Sequence, residues 1–176
     1  MLEKLFLEMI AYYSGDPKRI QHFTKVHSYA KLIGEREQLS PEELYILEAA
    51  AYTHDIGIKP AEEKYGSSEG KLQEQEGPAV ARGMLMRLGF AENVIERVCY
   101  LIGHHHTYTG IEGRDYQILV FSSREICYLS SNFFANQIGA AFEELGYEVT
   151  VCELSKEDDL DAKLARYIGQ PYRLIL

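Results

Sequence analysis

His54 and Asp55 stand side by side at the end of an almost wholly apolar run, LYILEAAAYTHD, and three adjacent histidines, His104, His105 and His106, follow a second one, AENVIERVCYLIGHHH. A buried carboxylate is costly unless it is paired or bound to a metal. Imidazole and carboxylate together suit Fe, Mn, Ni, Co or Zn, and such an ion polarises a phosphoryl oxygen and activates water near neutral pH. Each feature alone also has a plain structural reading. His54-Asp55 would serve as a polar cap at a helix end, and a lone inward histidine as a hydrogen-bonded core residue. Successive helical residues point about 100° apart, so His104, His105 and His106 cannot share one role.

Two more histidines lie upstream, in PKRIQHFTKVHSYAKLIGER. Val26, Ala30 and Ile33 mark the inward direction of that helix. His22 lies roughly 40° from it and His27 roughly 100°. His22 is therefore expected to face the core and His27 to face solvent.

The elements that must position these groups are helical up to about residue 116. Leu2, Leu5, Phe6, Met9, Ile10 and Tyr13 follow helical spacing, and Ser14-Gly15 ends that helix. Asp16-Pro17 supplies an N-cap and a proline at the first helical position for a helix to about Glu37. Ser40-Pro41-Glu42-Glu43 reads as a capping box for a third helix, stopped by Gly57. Residues 58–75, polar and glycine-bearing, read as a long loop. Pro78 is expected to open a fourth helix closed by Gly89, and a fifth runs into the histidines. Residues 107–116 read as a loop.

An inward His22, the His54-Asp55 pair and the histidines after a further helix resemble, in order and spacing, the HD-domain metal-dependent phosphohydrolases. The motifs that carry the resemblance are HFTKVHSYA, AAYTHDIGIKP, EGPAVARGML and LIGHHHTYTG. The resemblance implies a mainly α fold, an HD-domain helical bundle over residues 1–116. It implies a metal set of His22, His54, Asp55, Glu76, His104 and His105, holding one divalent ion (Fe, Mn, Ni, Co or Zn) or two. Asp55 and His105 are the implied catalytic pair. Glu76 stands where many members carry histidine, and it also reads as a carboxylate at a helix N-terminus. Lys59, displaced by one position from the lysine of family members, is a candidate phosphate contact, with a solvated side chain as its alternative. His106 and Tyr108 are candidate substrate contacts, Tyr108 by stacking on a base. The implied activity is hydrolysis of a small phosphomonoester or nucleotide. The alternative is a catalytically degenerate module that binds metal or nucleotide without hydrolysis.

The chain departs from the family at one position. The resemblance implies a last metal-binding Asp at or near Ser123, and serine is a poor ligand for a divalent ion. Glu125 would point to another side of a helix, and Asp115 lies in the preceding loop. The texture changes at the same place. ILVFSS, YEVTVCEL and PYRLIL read as strands, alternating with helices over 131–145 and DLDAKLARYIGQ. This is a short βαβαβ-like α/β segment over 117–176, truncated or fused. A rival reading continues one helix over 117–145.

Bulk properties limit the partners. The chain has 176 residues and a net charge of −9, which argues against a broad nucleic-acid face, and a nucleic acid duplex is not expected as a partner. A small phosphorylated substrate fits, because a metal supplies local positive charge. Three cysteines without a CxxC pair fit a reducing cytoplasm. No apolar run is long enough to span a bilayer. A homo-oligomer is compatible with the sequence.

Overall fold

The computed structural model describes residues 1–126 except Thr109. The chain divides into Met1–Tyr128 and Leu129–Leu176, and all described residues fall in the first unit. They form seven α-helices, α1 (Leu2–Tyr12), α2 (Pro17–Arg36), α3 (Pro41–Thr53), α4 (Ile58–Tyr65), α5 (Gly70–Leu88), α6 (Glu92–Ile102) and α7 (Arg114–Val120), followed by a π-helical turn, Phe121–Ile126. No strand occurs among the described residues.

The start signals act as their chemistry predicts. The Asp16 carboxylate accepts the Arg19 N–H at 3.1 Å and caps α2. The Ser40 hydroxyl accepts from Glu43 N at 3.2 Å, and the Glu43 carboxylate from Ser40 N at 2.9 Å, closing the capping box of α3. Gly89 ends α5 in the left-handed conformation, φ 82°. The core is built from Leu5 and Met9 of α1, Phe23 and Val26 of α2, Leu47 of α3, Leu85 of α5, Ile95, Leu101 and Ile102 of α6, and Leu119 of α7. Helix α3 lies centrally, packed against α1, α2, α6 and α7.

Three expectations are corrected. Residues 58–75 are not one loop: they contain α4 and the first turns of α5, joined by residues 66–69. Pro78 does not open a helix but sits inside α5. The reason is tertiary. Gly57 and α5 approach so closely that a Cβ on Gly57 would lie 2.3 Å from the Gln73 carbonyl oxygen and 2.8 Å from Gly77 N. That backbone contact, with Gln73, Glu74, Glu76 and Gly77 all buried, holds the polar stretch helical ahead of the proline. Finally, ILVFSS is helical. Asp115, Tyr116, Leu119, Ser122 and Ser123 are buried, a three-to-four spacing, so packing on α2 and α3 overrides the β-branched content. The boundary expected at 116/117 therefore falls inside α7. The rest of the expected α/β segment, and most of the rival long helix, lie outside the described residues.

Candidate metal centre

The pair His54-Asp55 sits in a four-residue turn between α3 and α4, so the end of an apolar helix delivers it to the interior. His22 comes from the second turn of α2, and His105 from the turn that follows α6. His22 Nε2 lies 3.1 Å from His54 Nε2 and 3.2 Å from Asp55 Oδ2. His54 Nε2 is 3.3 Å from the same oxygen, and His105 Nε2 is 3.5 Å from Asp55 Oδ1. Three imidazoles converge on one carboxylate.

The outer nitrogens fix the tautomers. His54 Nδ1 lies 2.9 Å from the Ala51 carbonyl and His105 Nδ1 2.6 Å from the Ile102 carbonyl. A carbonyl only accepts, so both Nδ1 atoms carry the proton, and in a neutral ring Nε2 then presents its lone pair. Such carbonyl partners orient ligand histidines in metal sites. His105 Nε2 is buried with no hydrogen-bond partner among the described residues. This donor set fits a divalent ion. Two overlapping groups, His22/His54/Asp55 and Asp55/His105/His106, have ligand atoms within 4.8 Å of one another.

Electrostatics agree with the geometry. Burial alone would raise the Asp55 carboxyl, but His54 beside it, with the His105 and His22 rings also close to its oxygens, holds it well below the usual carboxylate range. Burial lowers His54 against the pull of Asp55. Burial also lowers His106, to about 4, with the adjacent His105 acting in the same direction. A cavity of about 320 Å³ opens over the cluster, lined by His22, His54, Asp55, His105, His106, Tyr108 and Ser123.

The structure thus brings His22, His54, Asp55, His105, His106 and Tyr108 to one cavity and turns three expected residues elsewhere. His104 Nδ1 donates to the Tyr100 carbonyl at 2.7 Å, and its ring packs on Tyr100 with centroids 4.4 Å apart, because neighbouring positions in a tight turn point apart. Glu76 pairs with Lys64 and accepts from the Tyr65 hydroxyl at 3.0 Å; it lies over α4, almost one turn beyond the residue that reaches the cluster. That residue is Gln73, whose Oε1 is 3.4 Å from His106 Nε2. Lys59 is exposed, its ammonium 5.2 Å from the centre of the Tyr12 ring. His27 is not solvated: Nε2 is 2.8 Å from Glu48 Oε2, and the ring stacks on Tyr52 at 3.8 Å. An expectation drawn from angle alone missed that α3 packs over this side of α2. Ser123 lines the cavity, its hydroxyl donating to the Val120 carbonyl at 3.3 Å.

Sequence reasoning passed over four residues. Gln73 is one, and Glu74 is another: it accepts from His106 N at 2.9 Å and the Thr107 hydroxyl at 2.9 Å and fixes the histidine turn against α5. The signal was present in Leu72, Gln73, Gly77, Val80 and Met84, a helical spacing that continues through Pro78. The others are Tyr12 and Tyr13, whose hydroxyls donate to the Ile56 carbonyl at 3.1 Å and the Asp55 carbonyl at 2.6 Å. Burial keeps both phenols protonated, pushing Tyr12 up to about 12 and Tyr13 further.

The family model described as HD domain matches residues 19–132. Searches of the curated proteins and of the solved structures find no match. No helix among the described residues is long and apolar enough to cross a membrane.

Proposed function

The chain belongs to the HD domain family, and from that premise we propose that it is a metal-dependent phosphohydrolase acting on a small phosphomonoester or nucleotide. The observation that carries this reading is the convergence of His22, His54 and His105 Nε2 on Asp55, with the Nδ1 atoms of His54 and His105 locked by carbonyls. His22, His54, Asp55 and His105 would hold a divalent ion of the Fe, Mn, Ni, Co or Zn group, which would supply Lewis-acid polarisation of a phosphoryl oxygen. Asp55 supplies the anionic charge of the site and stays ionised at neutral pH. His105 holds its lone pair toward the cavity, and His106 and Tyr108 form the wall beside it on which a leaving group rests. Gln73 and Glu74 keep His106 in place.

The test is elemental analysis of chelator-free protein, with Asp55→Ala beside it, followed by phosphate release from a panel of phosphomonoesters and nucleotides. Stoichiometric metal that disappears in the variant, with turnover falling at least about 100-fold, supports the reading. Unchanged turnover in Asp55→Ala sinks it.

A second reading has its own observation. Ser123, at the position where the resemblance implies a carboxylate, forms part of the cavity wall. A module that binds metal or nucleotide without hydrolysis would give a stoichiometric nucleotide complex and no phosphate release. Rapid release excludes it.

A further inference from the structure

We propose that Tyr13, with Tyr12 beside it, is a positioning residue for the metal centre: the end of α1 fixes the backbone of the turn that carries His54 and Asp55, so two phenol hydroxyls that touch no metal set part of the metal affinity. The inference rests on the reading of the His/Asp cluster as a metal centre. Neither tyrosine belongs to the matched segment 19–132.

The end of a helix leaves its last carbonyls without partners. Downstream of α3, the Asp55 carbonyl accepts the Ile58 N–H at 3.0 Å and also the Tyr13 hydroxyl at 2.6 Å. The Ile56 carbonyl is placed differently. Its helical partner four residues on would be Pro60, which has no N–H; the Tyr12 hydroxyl at 3.1 Å supplies the donor instead. Gly57 in the same turn rests directly on the backbone of α5, where even a Cβ would not fit. The turn is held by two phenols and a helix backbone.

The phenols are themselves anchored. Tyr13 is 4% exposed and its ring packs on Phe23, the neighbour of His22, with centroids 6.4 Å apart. The Arg19 guanidinium lies 5.7 Å from the centre of the Tyr13 ring. The same guanidinium reaches α4 through two hydrogen bonds to Glu62, at 2.7 and 3.2 Å. Tyr13 thus ties α1, α2 and the turn together where His22 and Asp55 must meet. Metal ligands need placement within about 0.2 Å, and a peptide plane free to rock moves its carboxylate by more than that. Loss of a partner that hydrogen-bonds a ligating side chain costs about 10-fold to 100-fold in metal affinity; a brace on the ligand's own backbone belongs at the lower end of that range.

The experiment is a Co(II) titration of the full chain, followed by the visible absorption of the bound ion, for wild type, Tyr13→Phe, Tyr12→Phe/Tyr13→Phe and the control Met84→Ala. Met84 is a buried core residue of α5, about two helical turns beyond the Gly77 that meets Gly57, so its truncation lowers stability away from the turn. The Kd should rise about 10-fold in Tyr13→Phe and further in the double variant, with a shifted absorption band. Met84→Ala should lose at least as much in thermal midpoint while keeping the wild-type Kd and spectrum. A Kd for Tyr13→Phe within about twofold of wild type, or an equal rise in Met84→Ala, overturns the proposal and leaves the metal centre standing. Wild-type protein that takes up no Co(II) overturns the metal centre itself, and the brace with it.

Discussion

Helix α2 carries two histidines that each meet a carboxylate of the α3 segment, and the two meetings are built in opposite ways. At Glu48 both carboxylate oxygens have a donor. His27 Nε2 takes one Glu48 oxygen at 2.8 Å, Lys31 Nζ takes the other at 3.1 Å, and Tyr52 covers the imidazole face. Around Asp55 the balance fails. The Nε2 atoms of His54 and His105 both present lone pairs, His54 faces a third imidazole nitrogen at 3.1 Å, and His105 Nε2 has no hydrogen-bond partner among the described residues. Buried polar groups are ordinarily satisfied. A cluster with surplus lone pairs around a carboxylate is built for a cation, whereas one in which each carboxylate oxygen meets a donor is built for stability.

The comparison breaks most clearly on metal affinity. Replacing His54 with Gln should weaken Co(II) or Mn(II) binding by at least about 100-fold, while His27→Gln should leave the Kd within about twofold. Calorimetric titration of the two variants decides it, and equal losses would abolish the distinction. Stability should show the reverse order. Glu48→Gln strips a buried charge from His27 and Lys31 and should cost about 1–3 kcal/mol in urea unfolding, with metal affinity intact. A neutral result would mean that the network is not structural.

Ser123 offers a gain instead of a loss. Ser123→Asp adds a second carboxylate to a cavity whose lining, among the described residues, has Asp55 as its acid. In Ser123→Asp the ion should bind about 10-fold more tightly, near 1.4 kcal/mol, and the metal-free protein should unfold more easily because two carboxylates then face each other. Unchanged or weaker binding would place Ser123 outside reach of the ion.

What could be read from the sequence followed the range of the forces involved. Capping is local, so Asp16, Ser40, Glu43 and Gly89 announced their helix ends correctly. That His54, Asp55 and His105 face the cavity is legible because each follows a strongly apolar run, and that His22 does so because Val26, Ala30 and Ile33 mark the inward side of its helix. Failures came where a distant backbone decides. Nothing local shows that Gly57 meets Gln73 and Gly77, so the sequence pattern starts α5 late, at Pro78, and points to Glu76 where the fold places Gln73. His27 was assigned to solvent because a helical wheel ignores which helix lies outside it. His104 was grouped with His105 by adjacency, although one position in a turn redirects a ring from the cavity to Tyr100.

The smallest effect concerns pH, and its sign follows from His106. Burial and the neighbouring His105 lower its folded-state value to about 4, against about 6.5 in an unfolded chain. Between those values the unfolded chain holds a proton that the folded protein does not. Stability in chelator-treated protein therefore rises with pH through this window and is lost as the pH falls from about 6.5 toward about 4. His54, lowered by burial, acts in the same direction, so removing His106 should reduce the slope without abolishing it. His106→Gln keeps an amide that can face Gln73 and cannot protonate. Its urea midpoints, taken from about pH 7 down to about pH 4.5, should fall less steeply than those of the wild type. Equal slopes would show that His106 titrates as it does in the unfolded chain, and that the wall beside the cluster is open to water. His27→Gln serves as the matched case on the other side of the comparison. Burial lowers His27 while Glu48 opposes it, so removing it should change the slope less than removing His106 does.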